Sequence, residues 1–257
     1  MRNVLIIGAT RGLGQSLANQ YAKAGLTVYA TARYSVPQQS SNGVHWIPNI
    51  DITSEGAGRR ISASWMEETK IDLLVVCAGY FAKETLDHLD YDKEVTMYKA
   101  SRVPTCAIGP TFLIHHLLRA NILQKNSRVV LVGGESGSIA LRHESAGGGN
   151  YGGHGAKAAL NMVGKLLSID LKPRGIPVAI VHTGYLRKQN RDGFFETGDK
   201  NAVKPDEAAE ALRAWIETFD MDKSGQLWAV RGAADIETAT AVLGPADNLP
   251  TPLLLPW

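Results

Sequence analysis

The sequence is poor in cysteine, in long apolar runs and in any excess of charge. Its two cysteines, Cys77 and Cys106, allow no disulfide framework, and both sit in apolar stretches where buried free thiols are expected. A net charge of +2 over 257 residues gives no reason to expect a nucleic-acid partner. No apolar stretch approaches the roughly 20 residues that span a bilayer, and no signal peptide is evident. We therefore predict a cytoplasmic protein that binds neither membrane nor metal.

What the sequence does contain is an alternation of short apolar runs with longer stretches of helical spacing. Runs rich in Val, Ile and Leu predict buried strands. Apolar residues spaced three or four apart predict helices between them. This alternation predicts one α/β domain over residues 1–257, with a doubly wound parallel sheet flanked by helices on both faces. The predicted strands are 4–7, 27–31, 71–76, 128–132 and 178–182, and the predicted helices include 15–24, 92–123, 157–171 and 205–219.

Two segments lack such periodicity. The glycine-rich stretch Gly147–Gly155 predicts a mobile loop. The tail 244–257 holds four prolines and a run of three leucines, so it cannot be a regular helix, and we expect it to dock on this subunit or on a neighbouring one. Loops and the C-terminal segment, about 185–257, are expected to form the substrate pocket.

A glycine turn follows the first predicted strand and precedes a helical pattern. Gly8 allows the tight turn, Gly12 lets the backbone approach a pyrophosphate, and Gly14 lets helix and strand pack closely. A glycine motif in this strand-and-helix context predicts a Rossmann-type dinucleotide site. The turn itself also contains Thr10, Arg11 and Leu13.

The end of the second predicted strand favours NADP(H) over NAD(H). Enzymes that use NAD place an acidic residue there to hold the ribose 2′-hydroxyl. Here Ala32 stands in that place and Arg33 follows it, while Arg11 lies in the glycine turn. Guanidinium groups grip phosphate well, so the pair suits a 2′-phosphate.

The spacing G-x-x-x-G-x-G resembles the short-chain dehydrogenase/reductase superfamily, over roughly residues 1–190. Asp51-Ile52 is expected to end the third strand and matches the pair that meets the adenine. Cys77-Ala78-Gly79 matches the end of the family's N-N-A-G, and Thr183-Gly184 stands at its P-G motif. Lys157 matches the lysine that holds the nicotinamide ribose. The resemblance implies that the cofactor is lined by Asp51, Ile52, Ala78, Gly79, Tyr80, Lys157, Thr183 and Gly184.

The catalytic residues of that superfamily are largely missing. Its members typically use Asn, Ser, Tyr and Lys, with Tyr exchanging the proton and Ser polarising the carbonyl oxygen. Aligned on Lys157, the Tyr position holds Gly153, the Ser position Gly134 and the best match for Asn is Ala100. Tyr151 and Ser136 each lie two residues from a vacated position. A shift of two turns a helical side chain by about 200°, to the opposite face.

The absence of these catalytic residues restricts the reactions that the site could catalyse. Reducing a ketone places negative charge on oxygen, which requires a proton donor or an oxyanion stabiliser. An iminium ion is already cationic, so hydride transfer neutralises it without an acid. Glu135 and Glu144 are candidates to attract such a cation. New acid–base groups could come from His154, which is expected to titrate near neutrality, or from Tyr185. The candidate catalytic residues are therefore Lys157, Tyr151, His154, Glu135 and Tyr185.

Three functions remain open. The first is an NADP(H)-dependent biosynthetic enzyme that reduces or cyclises a bulky imine or iminium intermediate, because the pattern of losses resembles certain fungal alkaloid reductases and cyclases. The second is an ordinary carbonyl reductase with displaced catalytic groups, as in the small reductases related to bacterial C-factor. The third is a dinucleotide-sensing regulator. All three predict a small-molecule ligand, and the resemblance implies a homodimer or homotetramer built through helices 92–123 and 157–171.

Overall fold

Eight strands form one sheet within the residues that the structure describes, which are 1–37, 43–65, 69–79, 84–96, 103–187 and 202–257 of this computed structural model. Their order across the sheet is β3-β2-β1-β4-β5-β6-β7-β8. The first seven are parallel and β8 pairs antiparallel with β7. The strands are β1 (Asn3–Ile7), β2 (Thr27–Thr31), β3 (Val44–Ile47), β4 (Ile71–Val76), β5 (Leu123–Val132), β6 (Val178–His182), β7 (Leu227–Ala229) and β8 (Leu253–Leu255).

Helices follow most of the strands and cover both faces of the sheet. A connection that returns to a parallel strand needs a crossover, which is usually a helix. The helices are α1 (Gly12–Lys23), α2 (Ala57–Ala63), α3 (Tyr91–Thr96), α4 (Gly109–Arg119), α5 (Tyr151–Leu171), α6 (Pro205–Glu217) and α7 (Ala239–Leu243).

The core is divided into two layers by the sheet. Along β4, Leu74 and Val76 belong to the layer that also contains Leu113 of α4, whereas Leu73 and Val75 belong to the opposite layer. This alternation follows from the two-residue period of a strand, and both layers are apolar because helices cover both faces. The doubly wound parallel α/β fold predicted from the sequence is thereby confirmed.

Most predicted strands are confirmed within a few residues, and the tail also behaves as predicted. Strands β2, β4 and β6 have the predicted bounds, while β5 begins at Leu123 rather than at 128. The proline-rich tail supplies β8, and the backbone N–H of Ala140 donates to the carbonyl of Trp257 at 2.8 Å. The tail therefore docks on its own subunit.

The predicted helix 92–123 extends too far at its C-terminal end. Helix α3 covers Tyr91–Thr96, residues 97–102 lie outside the described residues, Pro104–Ile108 forms a π-helical turn that continues into α4, and α4 ends at Arg119. Asn121 adopts φ +56°, a left-handed conformation that stops the helix before β5 begins.

The predicted loop 147–155 is also too long. Helix α5 begins at Tyr151, so it contains three glycines of the predicted loop, although glycine favours loops. A distant carboxylate holds its first turn, because the backbone N–H of Gly152 donates to Glu84 Oε1 at 2.6 Å. Glu84 and Asn150 also exchange hydrogen bonds of 3.0 and 3.2 Å. Tertiary contacts thus override the local preference of glycine.

Candidate active site

The glycine turn is closed by contacts that leave no room for a side chain at Gly14. Gly8 adopts φ +82°, and its N–H donates to Thr31 Oγ1 at 3.0 Å. A Cβ on Gly14 would lie 2.3 Å from the carbonyl oxygen of Gly8. Helix α1 begins at Gly12, earlier than predicted, so its N-terminus points to this turn. The turn is therefore shaped by backbone packing, with Leu13 buried behind it.

The two arginines predicted to bind the 2′-phosphate are Arg11 and Arg33, and Arg33 faces the carboxylate of Asp51. Thr10 and Arg11 are exposed at the N-terminus of α1. Arg33 Nε lies 3.9 Å from Asp51 Oδ2, and both side chains are partly exposed. Ala32, in the place of the acid that NAD enzymes use, is buried.

Asp51 does not end a strand as predicted. β3 stops at Ile47, since Pro48 has no N–H to continue the ladder and Asn49 is left-handed. Burial favours the neutral form of Asp51, but its hydrogen bonds with Thr53, together with nearby arginines, outweigh this and lower its pKa. Ile52 follows and is buried.

At the other end of the predicted cofactor site, Lys157 lies between the ends of two strands. Its Nζ donates to the carbonyl of Val132 at 3.0 Å, and it lies 3.8 Å from where a Cβ on Gly79 would stand. Ala78 is half-buried and packs against Gly8. Tyr80 lies outside the described residues. Cys106 is buried as predicted, whereas Cys77 is only half-buried.

The segment after β6 packs tightly on the C-terminal part of the chain. Thr183 is buried. Gly184 adopts φ +93°, and a Cβ there would lie 2.1 Å from Asp235 Oδ2. Asp235 is buried beside Arg231, whose Nε lies 3.5 Å from that oxygen. A glycine is therefore required at 184 by packing as well as by backbone conformation.

The two positions predicted to match the family's serine and tyrosine are both buried. They hold Gly134, just after β5, and Gly153, in the first turn of α5. A Cβ on Gly134 would meet Ser136 Oγ at 3.2 Å, so the Ser136 hydroxyl lies close to the first of these positions. Ala100 lies outside the described residues.

A buried cluster of polar side chains lies just beyond the carboxyl ends of β5 and β6, which we call the substrate edge. Glu135 directly follows Gly134 and is only 5% exposed. Its Oε1 accepts the hydroxyl of Tyr185 at 3.0 Å, and its Oε2 pairs with Arg142. Its backbone N–H donates to His182 Nδ1 at 3.3 Å. Glu135, a candidate to attract a cationic substrate, is therefore already paired with the cationic side chain of Arg142.

Burial and neighbouring charges shift three groups around this cluster. Burial raises the pKa of Tyr185, and the Glu135 carboxylate raises it further. Burial lowers the pKa of His154, and Arg142 adds to the effect, so His154 is neutral at pH 7 rather than poised to titrate there. Burial also lowers the pKa of His182, against the opposing pull of Glu135.

The remaining candidates lie at the edge of the site. Tyr151 is the first residue of α5 and is 43% exposed. Its hydroxyl lies 3.9 Å from where a Cβ on Gly148 would stand. Glu144 is exposed to solvent. A cavity of about 290 Å³ lies at the other end of the strands, where β5 begins, near Leu118, Lys125 and Arg174. It is remote from these candidates.

Sequence reasoning missed Arg142, His182, Glu84 and Asp235. Arg142, His182 and Glu84 contact partners at least seven residues away, so no local pattern marks them. Asp235 pairs with Arg231 four residues before it, but its contact with Gly184 is distant along the chain. Within the described residues no cluster of three or more His, Cys, Asp or Glu could hold a metal ion. No helix in the same ranges is long and apolar enough to cross a membrane.

Comparison with known proteins places these features in a family. The chain is 26% identical to 1-hydroxy-2-glutathionyl-2-methyl-3-butene dehydrogenase of Rhodococcus sp. (strain AD45), over 88% of this chain and 95% of that protein. It is 30% identical to serine 3-dehydrogenase of Agrobacterium fabrum, over 70% of each chain.

Solved structures share the fold at lower identity. The crystal structure of an NADPH-bound carbonyl reductase from chicken fatty liver superposes with a TM-score of 0.74 at 21% identity, covering 100% of this chain and 94% of that one. The family model described as short chain dehydrogenase matches residues 2–199. With its glycine turn, doubly wound sheet and Lys157 in place, the chain belongs to the short chain dehydrogenase family.

Proposed function

We propose that the protein is an NADP(H)-dependent reductase that transfers a hydride to an imine or iminium group in a bulky small molecule. The observation that carries this proposal is the contrast between two sets of glycines. Gly8 and Gly14 complete a close-packed dinucleotide turn, whereas Gly134 and Gly153 leave the positions of the carbonyl-polarising serine and the proton-donating tyrosine without side chains.

The residues present fit NADP(H). Backbone groups of the turn and the N-terminus of α1 face the expected position of the pyrophosphate. Glycine is needed at 14, because a side chain there would clash with Gly8. Arg11 and Arg33 would hold the 2′-phosphate, and Lys157 the nicotinamide ribose. When bound, NADPH supplies the hydride. The crystal structure of the chicken carbonyl reductase, which contains NADPH, shares this fold.

An iminium acceptor suits the substrate edge better than a ketone does. Hydride addition to a ketone builds charge on oxygen, and the two family hydroxyls that would stabilise it are absent at 134 and 153. Hydride addition to an iminium cation removes charge instead. Two buried glycines also widen the site for a bulky ring system. A pocket that positions such an intermediate would equally support its cyclisation.

One observation favours a second candidate, an ordinary carbonyl reductase with displaced groups. Ser136 Oγ lies 3.2 Å from where a Cβ on Gly134 would stand, which is near enough for this hydroxyl to replace the missing serine. Tyr151 is a weaker replacement for the tyrosine, since it is exposed while Gly153 is buried.

A substrate panel tests the two candidates. NADPH consumption would be followed by its absorbance with matched pairs of cyclic imines and ketones. We expect turnover of imines and little of ketones, and preferential turnover of ketones would favour the second candidate. If nothing is turned over while NADPH binds, the reductase proposal fails and a redox-neutral cyclase or a regulator remains.

Cofactor choice needs its own measurement. A fluorescence titration should show tighter binding of NADPH than of NADH. An Arg33→Ala variant should lose about 10-fold of its NADPH affinity while NADH binding is unchanged, since only the 2′-phosphate contact is removed. Arg59→Ala is the matched control, because Arg59 is an exposed arginine on α2 that pairs with Glu55.

We further propose that the protein forms a homodimer through α4 and α5. Met162, Leu166 and Ile169 form an exposed apolar stripe along α5, and Phe112 is exposed on α4. Such stripes mark interaction surfaces. A Leu166→Glu variant should become monomeric in light scattering, whereas Lys172→Glu, beyond the end of α5, should not. A wild-type monomer would contradict the proposal.

A further inference from the structure

The hydroxyl of Tyr185 is engaged with a carboxylate rather than offered to the site. Tyr185 is the third residue after β6 and is 39% exposed, so its ring reaches the surface of the substrate edge. Its Oη donates to Glu135 Oε1 at 3.0 Å. Because a phenol has a single proton, this hydrogen bond uses it and leaves only lone pairs on the oxygen.

Glu135 cannot easily turn away from Tyr185. Its second oxygen pairs with Arg142, and its backbone N–H donates to His182 Nδ1 at 3.3 Å. The guanidinium of Arg142 is itself tied to the loop, since its Nε donates to the carbonyl of Ser138 at 3.3 Å. The carboxylate is buried, so these contacts fix its orientation and keep the phenol proton on its near oxygen.

This geometry makes Tyr185 a hydrogen-bond acceptor toward the substrate. A phenol that donates to an anion carries more negative charge on its oxygen, and so accepts more strongly from a third group. A ketone oxygen would present lone pairs to lone pairs there. The N–H of a protonated imine would find a matching acceptor.

We propose that Tyr185 Oη accepts a hydrogen bond from the N–H of a protonated imine, and that Glu135 and Arg142 are positioning residues for it. The proposal rests on the proposed reductase function and specifies its substrate class. In the reaction, the hydride of NADPH forms a C–H bond at the imine carbon, and the C=N π electrons return to nitrogen. NADP⁺ and a neutral amine result, the nitrogen keeps its proton, and no acid is consumed.

The decisive comparison uses two iminium ions that differ only in whether the nitrogen carries a hydrogen or a methyl group. The probes are 3,4-dihydroisoquinolinium, which has an N–H, and its N-methyl analogue, which has none. For the Tyr185→Phe variant we expect kcat/KM to fall about 10- to 100-fold with the N–H probe, the size of a lost charge-assisted hydrogen bond. With the N-methyl probe it should change by less than about threefold. Glu135→Gln should act in the same direction but more weakly.

Binding without turnover gives an independent readout. Calorimetry of each probe with the protein and NADP⁺ should show the same selective weakening for Tyr185→Phe, with NADP⁺ affinity unchanged. Tyr91→Phe, at an exposed tyrosine on α3, is the matched control.

The outcomes separate this inference from the proposed function. Equal losses on both probes would make Tyr185 a packing residue and overturn the inference, while imine reduction itself stands. No turnover and no binding of either probe by a protein that binds NADPH would overturn both. Loss confined to the N–H probe supports the inference.

Discussion

The two ends of the predicted site are built in different ways. The cofactor end, between β1 and β4, consists mainly of backbone packed against backbone, as where Gly14 touches Gly8. The substrate end, between β5 and β6, consists of side chains that hold one another, as Arg142 and Tyr185 hold Glu135. Backbone packing tolerates almost no substitution, whereas a side-chain cluster can be rebuilt. The comparison teaches why a family can keep its cofactor and change its chemistry.

The largest effect is expected at the backbone-built end. Gly14→Ala places a Cβ 2.3 Å from the carbonyl of Gly8, which a rigid turn cannot absorb. We expect a loss of about 3 kcal/mol in the free energy of unfolding and no measurable NADPH binding. Chemical denaturation and a fluorescence titration check the two effects.

Gly12→Ala is the matched control for Gly14→Ala. No atom lies within 4 Å of its Cβ, so only the left-handed backbone at φ +56° should cost stability, about 1 kcal/mol. If both variants were equally destabilised, close packing would not be what distinguishes this end of the site.

The next prediction rebuilds the other end. The double variant Gly134→Ser with Gly153→Tyr restores the two family hydroxyls, and we expect ketone reduction to rise by about 100-fold or more. Steady-state rates with NADPH and a cyclic ketone measure it. Gly148→Ser, a change in the loop before α5, should leave the rate unchanged. A double variant that folds but stays inactive would show that the substrate end cannot be rebuilt this simply.

A smaller effect concerns the stability of the side-chain cluster. Arg142→Met leaves the Glu135 carboxylate buried without its cation, and we expect a loss of about 3 kcal/mol. For a chain of this size the melting temperature would fall by about 6–12 °C. Arg59→Met breaks an exposed pair with Glu55 and should cost less than 1 kcal/mol. Equal losses in calorimetry would mean that the buried pair is no more important than a surface pair.

The sequence predicts the cofactor end far better than the substrate end, for a physical reason. Gly8, Gly12 and Gly14 lie within seven residues, so their spacing in the sequence is enough to predict the shape of the turn. Glu135 was selected from the sequence as a candidate site residue, but its contacts with Arg142 and Tyr185 could not be predicted, because only the fold brings these partners to it.

The same reason explains the elements that were misplaced. The start of α5 at Tyr151 depends on Glu84, which lies 68 positions away from Gly152 in the chain. The helical periodicity of 92–123 was visible, but the left-handed Asn121 that ends α4 was not. Most strands of the parallel sheet, in contrast, could be predicted, because a strand that is buried on both faces appears in the sequence as a short apolar run.

The smallest expected effect is on pH dependence. Burial lowers the pKa of His182, so the unfolded chain binds a proton there that the folded protein does not. Stability from this residue is therefore present above the unfolded pKa of about 6.5 and is lost as pH falls below it, at up to about 1.4 kcal/mol per pH unit. Unfolding measured from pH 7.5 to 5 should show this decline.

His182→Asn should flatten that decline, since its side-chain oxygen can accept from Glu135 without titrating. His88→Gln, at an exposed histidine, should keep the wild-type slope. An unchanged slope in His182→Asn would mean that acid destabilisation arises elsewhere.

The Glu135 carboxylate also has a consequence for how this protein can diverge. Each of its oxygens serves one partner, so replacing Glu135 would remove a side-chain partner from Arg142 and from Tyr185 at once. Relatives that keep a glutamate at this position should therefore keep an arginine and a tyrosine at the other two, and relatives that lose one should lose all three. Covariation among these three positions would identify the subgroup of the family that shares this substrate edge.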